Sequence, residues 1–344
     1  MNYYSFNQYL RERYGEKVYK LALNGGMTCP NRDGTLGTRG CLFCSAGGSG
    51  EFAETVPTCQ KGNVEYIETV PTDSVRRQIE AAKQRLSNKQ TGNKFIAYFQ
   101  AYTNTYAPVE YLRSLYLPVL EQEDIVGLSI GTRPDCLPEE VLNLLGELNQ
   151  IKPVWVELGL QTIHENTARL IRRGYELPCF ERAVEELRKR HIEVIVHFIF
   201  GLPGESKEDM MESVRYVNQA GIQGVKFQLL HVLKGTDLAE LYLAEQKSSD
   251  TASSDVVPEG ESEGNQEENG FRVLTMEEYI DIVCDAIAIL SPDIVVHRIT
   301  GDGPKKLLIA PKWSEDKKRV LNAINKELTL RGITQGCKLH VLNC

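Results

Sequence analysis

The chain is poor in several features, and each shortage excludes something. No apolar run in its 344 residues approaches the ~20 residues that a membrane-spanning helix needs. The opening residues, Met1-Asn2-Tyr3-Tyr4-Ser5-Phe6, lack the basic-then-apolar build of a secretion signal and the Arg-rich build of a transit peptide. A cytoplasmic protein with no membrane partner is therefore expected. Histidine is scarce: there are six, and none precedes His164. A second closely spaced cysteine pair is also missing, although the chain has nine cysteines. Structural zinc takes four protein ligands, usually as two close pairs, so the scarcity weighs against a zinc knuckle without removing it.

What is present is a concentration of thiols. Cys29, Cys41 and Cys44 fall in one loop rich in Gly, Thr and charge, spaced C-x11-C-x2-C. Cysteines in a cytosolic chain argue for metal or redox chemistry rather than disulfides. Three thiolates on one loop are able to hold three corners of an iron–sulfur cube and leave the fourth iron open to a small ligand. The other six cysteines are scattered and read mostly as small buried hydrophobes.

The net charge of −8 is unevenly placed. Residues 248–270 carry seven acids and no base, with few apolar residues, and are expected to be disordered. From Ser291 onward ten Lys and Arg face five Asp and Glu, a balance compatible with a polyanion and equally with a solvated helix face.

Between Val18 and Tyr242, strand-like and helix-like segments alternate about six times. The strands are rich in Val, Ile and Phe, as expected where both faces of a parallel sheet are covered. Polar and Gly-rich residues gather just after each strand, the edge that carries chemistry in barrels of this type. The predicted organisation is α/β: an N-terminal helix over 1–17, a barrel core over 18–242, the acidic insert 248–270, and a C-terminal α/β extension over 271–344. The last helix is expected over Ser314–Leu330 with Ser314 as its cap. Gly47-Gly48-Ser49-Gly50 reads either as a linker or as a close approach of backbone to a ligand.

Five segments stand in order at predicted strand ends: the cysteine loop, Gly131-Thr132-Arg133-Pro134-Asp135, Glu157-Leu158-Gly159-Leu160-Gln161, Gly201-Leu202-Pro203-Gly204, and His297-Arg298-Ile299-Thr300-Gly301-Asp302-Gly303. Together they resemble the YtqA/YhcC family of radical SAM proteins. That family is similar to the radical SAM domain of the elongator catalytic subunit and of oxygen-independent coproporphyrinogen oxidase. The resemblance implies a partial (β/α)6 TIM-type barrel, a [4Fe-4S] cluster on Cys29, Cys41 and Cys44, and S-adenosylmethionine (SAM) cleaved reductively to a 5′-deoxyadenosyl radical. It implies SAM contacts from Phe43, Gln100, Ala101, Tyr102, Ser129, Thr132, Gln161, Arg173, His197, Gly201 and Pro203. Phe43 matches the aromatic position beside the adenine. Gln161 and Arg173 match a pair holding the SAM ribose and carboxylate, against the plainer reading of Arg173 as a solvated arginine at a helix end.

The sequence also departs from the wider pattern. Gln100-Ala101-Tyr102 replaces the usual Gly-Gly-Glu, Gly131 stands where a carboxylate is common, and His197 stands where some relatives have Asp. Packing is the default for a His in an apolar strand. Related members imply a tRNA substrate, modified at the 5-substituent of a wobble uridine, and a low-potential electron donor of flavodoxin or ferredoxin type. No second cysteine cluster supports a methylthiotransferase. A radical SAM reaction on a small metabolite is the other enzymatic reading. A zinc-stabilised RNA-binding protein is the reading without catalysis.

Overall fold

The computed structural model describes residues 2–48, 50, 53, 58–61, 64–67, 71–86, 92–252, 271–301 and 303–339. In chain order its elements are α1 (Phe6–Tyr14), β1 (Val18–Leu23), β2 (Thr58–Lys61), β3 (Val64–Ile67), α2 (Pro71–Leu86), β4 (Lys94–Phe99), α3 (Val109–Leu120), β5 (Ile125–Thr132), α4 (Glu139–Ile151), β6 (Val154–Gln161), α5 (Glu165–Leu170), α6 (Leu177–Lys189), β7 (Glu193–Phe200), α7 (Lys207–Gln219), β8 (Gly224–Leu229), β9 (Val232–Leu233), α8 (Asp237–Ala252), α9 (Met276–Ile289), β10 (Val295–Arg298), β11 (Leu308–Ala310) and α10 (Lys317–Leu330).

Seven strands form one parallel sheet in the order β1-β4-β5-β6-β7-β8-β10. The strand–helix alternation dictates this, because a parallel neighbour needs a crossover and a helix supplies it. The helices bury one stripe each on the outer face. In α6 that stripe is Phe180, Ala183, Val184 and Leu187, at three- and four-residue spacing. Capping boxes start α7 (Ser206 with Asp209) and α9 (Thr275 with Glu278) by satisfying backbone N–H groups that the first turn leaves unpaired.

The inner face of the curved sheet is layered. At its N-terminal end Val18, Ile96, Trp155, Ile195 and Val295 form an apolar floor, plugged by Phe6 and Leu10 of α1. Phe6 stacks on His297 with ring centroids 3.9 Å apart and meets Trp155 edge-on at 6.2 Å. The segment before α1 also extends the sheet: Val296 donates its N–H to the Tyr4 carbonyl at 2.8 Å. Above the floor the inward positions turn polar and reach the cysteine loop at the C-terminal rim.

Two sequence expectations change, and a third is filled in. The expected C-terminal α/β extension over 271–344 supplies β10, which pairs with β8 as the seventh strand of the same sheet. The last helix does not start at Ser314. A 3-10 turn over Lys312–Glu315 comes first, and Asp316 caps α10 by accepting from Arg319 N at 3.0 Å. Ser314 instead donates to the Pro311 carbonyl at 2.8 Å. The N-terminal helix spans only Phe6–Tyr14, stopped by Gly15 at φ 75°, a conformation Gly adopts without strain. The β2–β3 hairpin, inserted after the cysteine loop, is a further element. Of the acidic insert, α8 takes the first residues up to Ala252, and 253–270 lie outside the described residues.

Candidate functional site

The cysteine loop follows β1 at the rim and is held from several sides. Arg32 N and Asp33 N donate to the Cys29 carbonyl at 2.8 and 3.2 Å, Gly40 N donates to the Asn31 carbonyl at 2.7 Å, and Cys44 N donates to the Cys41 carbonyl at 3.0 Å. Buried Asn31 ties the loop to the barrel: its Nδ2 donates to the Arg172 carbonyl at 2.8 Å and approaches Cys41 Sγ at 3.4 Å. Arg32 donates to the carbonyls of Cys44 and Ser45 at 2.8 and 2.5 Å. Gly48 lies so close to the Tyr102 ring that no Cβ fits there, so this glycine of the Gly-rich stretch meets a side chain of the rim.

Cys29, Cys41 and Cys44 all line one cavity of about 270 Å³ that opens at the rim. Burial first, then the neighbouring Cys44, pushes the Cys41 thiol up to about 11. Three crowded thiols resist becoming three thiolates unless a cationic group sits among them. A metal centre held by the three thiolates would supply that cationic group.

The other sequence-predicted residues divide. Phe43, Gln100, Tyr102, Thr132, Gln161, Arg173 and His197 line the same cavity as the cysteines. Tyr102 and Gln161 both have positive φ, at 59° and 61°, so two strained non-glycine residues sit at strand ends on the cavity rim. Gln161 Oε1 accepts from the Tyr175 hydroxyl at 3.2 Å. Thr132 Oγ1 pairs with Thr105 Oγ1 at 2.5 Å.

Ala101, Ser129, Gly201 and Pro203 do not reach the cavity. Ala101 is buried behind Gly50, and Ser129 is buried beneath the cavity floor against Glu157. Gly201 turns at φ 85° and packs against Leu274. Arg173 is neither a solvated arginine nor an open carboxylate fork. It is 2 % exposed, and it donates to the carbonyls of Tyr175 (2.9 Å), Leu160 (3.2 Å) and Thr162 (2.7 Å) and to Glu165 (3.0 Å). Those donors tie the β6–α5 turn.

Sequence reading named Ser129 and His197 but missed the charged groups they join under the rim. Glu157 of β6, with a fully buried side chain, accepts four donors from four strands. Oε1 accepts from Lys20 Nζ of β1 at 2.7 Å and Ser129 Oγ of β5 at 2.6 Å. Oε2 accepts from His197 Nε2 of β7 at 2.9 Å and from Lys226 Nζ of β8. Lys226 also donates to the Tyr98 hydroxyl at 3.1 Å and lies 4.5 Å over that ring. Gln228 Nε2 donates to His197 Nδ1 at 3.1 Å, which leaves the ring proton on Nε2, facing Glu157. Burial would raise the Glu157 carboxyl, but Lys20 and Lys226 overcome it and hold the group well below its usual range. Burial, then the Lys226 charge, pushes His197 down to about 4 despite its bond to Glu157. Arg298 of β10 lines the cavity beside them. The available signal was a charged residue inside an otherwise apolar strand: Lys20, Glu157 and Lys226 each occur so. The Gly301–Gly303 motif that follows β10 gives room to His231, whose ring leaves no space for a Cβ at Gly301.

Comparison with known proteins agrees with this geometry. A family model described as the radical SAM superfamily matches residues 34–217, and one described as a radical SAM C-terminal domain matches residues 261–329. The uncharacterised protein YtqA of Bacillus subtilis is 46% identical over 97% of this chain and 92% of its own length. A tRNA uridine(34) acetyltransferase of Methanocaldococcus infernus is 26% identical over 54% of this chain and 30% of its own length. Among solved structures, an archaeal Elp3 from M. infernus lacking its N-terminus superposes with TM-score 0.60 at 20% identity, covering 76% of this chain and 60% of that one, a likeness of fold.

Proposed function

The chain belongs to the radical SAM superfamily, and from that premise we propose that Cys29, Cys41 and Cys44 hold a [4Fe-4S] cluster that acts on tRNA, at the 5-substituent of a wobble uridine. When bound, the cluster with SAM supplies reductive cleavage of the sulfonium and a 5′-deoxyadenosyl radical that abstracts hydrogen from an unactivated carbon.

The chain's residues supply position and polarity. Asn31 fixes the cysteine loop on the barrel, and Arg32 braces the loop internally. Phe43 and Gln161, which line the cavity with the cysteines, would confine the adenosyl portion. Tyr102 and Thr132 line the same cavity. The inner wall offers His197, kept neutral with its Nε2 proton on Glu157, so the ring adds no charge next to the radical path. A low-potential flavodoxin- or ferredoxin-type partner is the proposed electron source.

One observation supports the tRNA part of the reading: the similarity to a tRNA uridine(34) acetyltransferase spans just over half of this chain. The rim is consistent with a polyanion, because Lys234 and the pair Lys305–Lys306 are exposed immediately beside the cavity-lining Leu233 and Pro304. The test is nucleoside mass spectrometry of total tRNA from a strain lacking the gene, beside its parent. Loss of one modified wobble uridine with accumulation of its precursor is the expected result. An unchanged tRNA profile would overturn the tRNA reading in favour of a small-metabolite substrate.

A further inference from the structure

A buried amide faces one of the thiols of the cysteine loop. Asn31 is 5 % exposed, and its Nδ2 stands 2.8 Å from the Arg172 carbonyl and 3.4 Å from Cys41 Sγ. A carbonyl only accepts, so the short contact to Arg172 fixes which end of the amide is the NH2 group. That group has two hydrogens to give. The first goes to Arg172. The Arg173 carbonyl, at 3.5 Å, is at the outer limit for oxygen and already accepts from Arg133 Nη1 at 2.9 Å. The second hydrogen is left for Cys41 Sγ, where 3.4 Å is an ordinary separation for the larger sulfur atom.

The surroundings hold the amide in this orientation. The Asn31 carbonyl accepts from Gly40 N at 2.7 Å, so the residue engages the loop on both sides. Leu42 N, next to Cys41, donates to the Ile171 carbonyl at 3.0 Å. A Cβ at Gly174, which turns at φ 83°, would stand 2.8 Å from Asn31 Oδ1, so glycine there leaves the room that the amide occupies. The contacts to carbonyls are enough to anchor the loop. The N–H on sulfur has a further consequence once that sulfur is a metal thiolate. One-electron reduction of a cluster adds negative charge that its thiolate sulfurs share, and a hydrogen bond strengthens as its acceptor becomes more anionic. The reduced form therefore gains more from the bond than the oxidised form. Hydrogen bonds to sulfur are among the levers that set the potential of an iron–sulfur centre.

We propose that Asn31, through its N–H on Cys41 Sγ, raises the reduction potential of the cluster and so eases its reduction by a low-potential donor. The inference rests on the cluster reading above and is independent of the tRNA reading. Asn31 acts through Cys41 and is a positioning residue, not a catalytic one.

The experiment is a redox titration of the cluster-loaded full chain, followed by electron paramagnetic resonance (EPR). SAM is left out, because reduction would consume it. Asn31→Leu fills the site without a donor and should bind the same iron per chain, with the reduction equilibrium about tenfold less favourable, a fall of ~59 mV for one electron. Thr35→Val serves as the control for a loosened loop, since it removes the loop's 3.0 Å bond to the Tyr106 hydroxyl, and its potential should equal that of the wild type. An unchanged potential in Asn31→Leu, or an equal fall in Thr35→Val, overturns the proposal and leaves the cluster reading standing. If Asn31→Leu carries no cluster, the reduced wild type decides: protein labelled with asparagine bearing 15N in the side-chain amide should show a 15N coupling in its pulsed EPR spectrum. Absence of that coupling overturns the proposal. A wild type that assembles no cluster overturns the cluster reading and this proposal with it.

Discussion

At the residue scale the protein is organised by one carboxylate. Glu157 accepts from Lys20, Ser129, His197 and Lys226, and so ties together β1, β5, β7 and β8. Removing it leaves the buried Lys226 and the half-buried Lys20 ammonium groups without their counter-ion. Glu157→Ala should therefore cost about 3–5 kcal/mol, the usual range for breaking one side of a buried ion pair. Chemical denaturation of the variant beside the wild type measures it, and a loss below about 1 kcal/mol, the size of a surface pair, would refute the central role of this group.

His197 gives a second residue-scale expectation. Its folded pKa, about 4, lies below the ordinary 6.5, so the neutral ring is the form the fold favours. That contribution is complete above pH 6.5 and is lost as pH falls from there toward 4. The His197 imidazole resonances should show no protonation at pH 5.5, and His197→Gln should flatten the decline in stability between pH 6.5 and 4.5. A titration midpoint near 6.5 would contradict the burial argument.

At the element scale, most strands and helices were legible because hydrophobic spacing and capping residues agree. The C-terminal helix shows where local reading stops. Both Ser314 and Asp316 are plausible caps in sequence. The choice depends on His231, far away in the chain, which engages Ser314 at 3.1 Å and leaves Asp316 to start α10. Asp316→Ala should cost about 1 kcal/mol of stability through the lost cap. Ser314→Ala should not reproduce that loss through the helix, and thermal melts of the two variants separate these outcomes.

The same limit explains the candidate site. The three cysteines declare themselves by spacing, and Phe43 and Gln161 by their motifs. Lys20 and Lys226 do not, because a strand taken as apolar on both faces hides the alternation that points its polar residues inward. Glu157, Gly159 and Gln161, or His197 and Ile199, share one face only once the sheet is curved around a lumen. Arg173 matched a motif, yet its donors are taken by the Tyr175 carbonyl and by carbonyls of the β6–α5 turn, contacts no linear pattern reveals.

At the scale of the whole molecule, the barrel and the C-terminal segment form one sheet. Strand β10 covers the edge of β8, and α9 buries Tyr279, Ile282, Val283 and Ile287 among nine buried residues. Truncation after residue 270 removes β10 and α9 and should expose the edge of β8 together with the apolar surface that α9 covers, giving aggregated rather than folded protein. A soluble, cooperatively melting fragment 1–270 would show instead that the segment is a separate domain. Among the described residues no helix is long and apolar enough to cross a membrane.

All of this chemistry depends on a catalytic cluster held by Cys29, Cys41 and Cys44. The most direct test is iron and sulfide analysis of anaerobically purified protein, combined with assay of 5′-deoxyadenosine after addition of SAM and a strong reductant. The prediction is about four iron and four sulfide per chain with 5′-deoxyadenosine formed, and loss of both in Cys41→Ala that retains the far-UV spectrum of the wild type. A colourless protein carrying one zinc per chain and yielding no 5′-deoxyadenosine would contradict it.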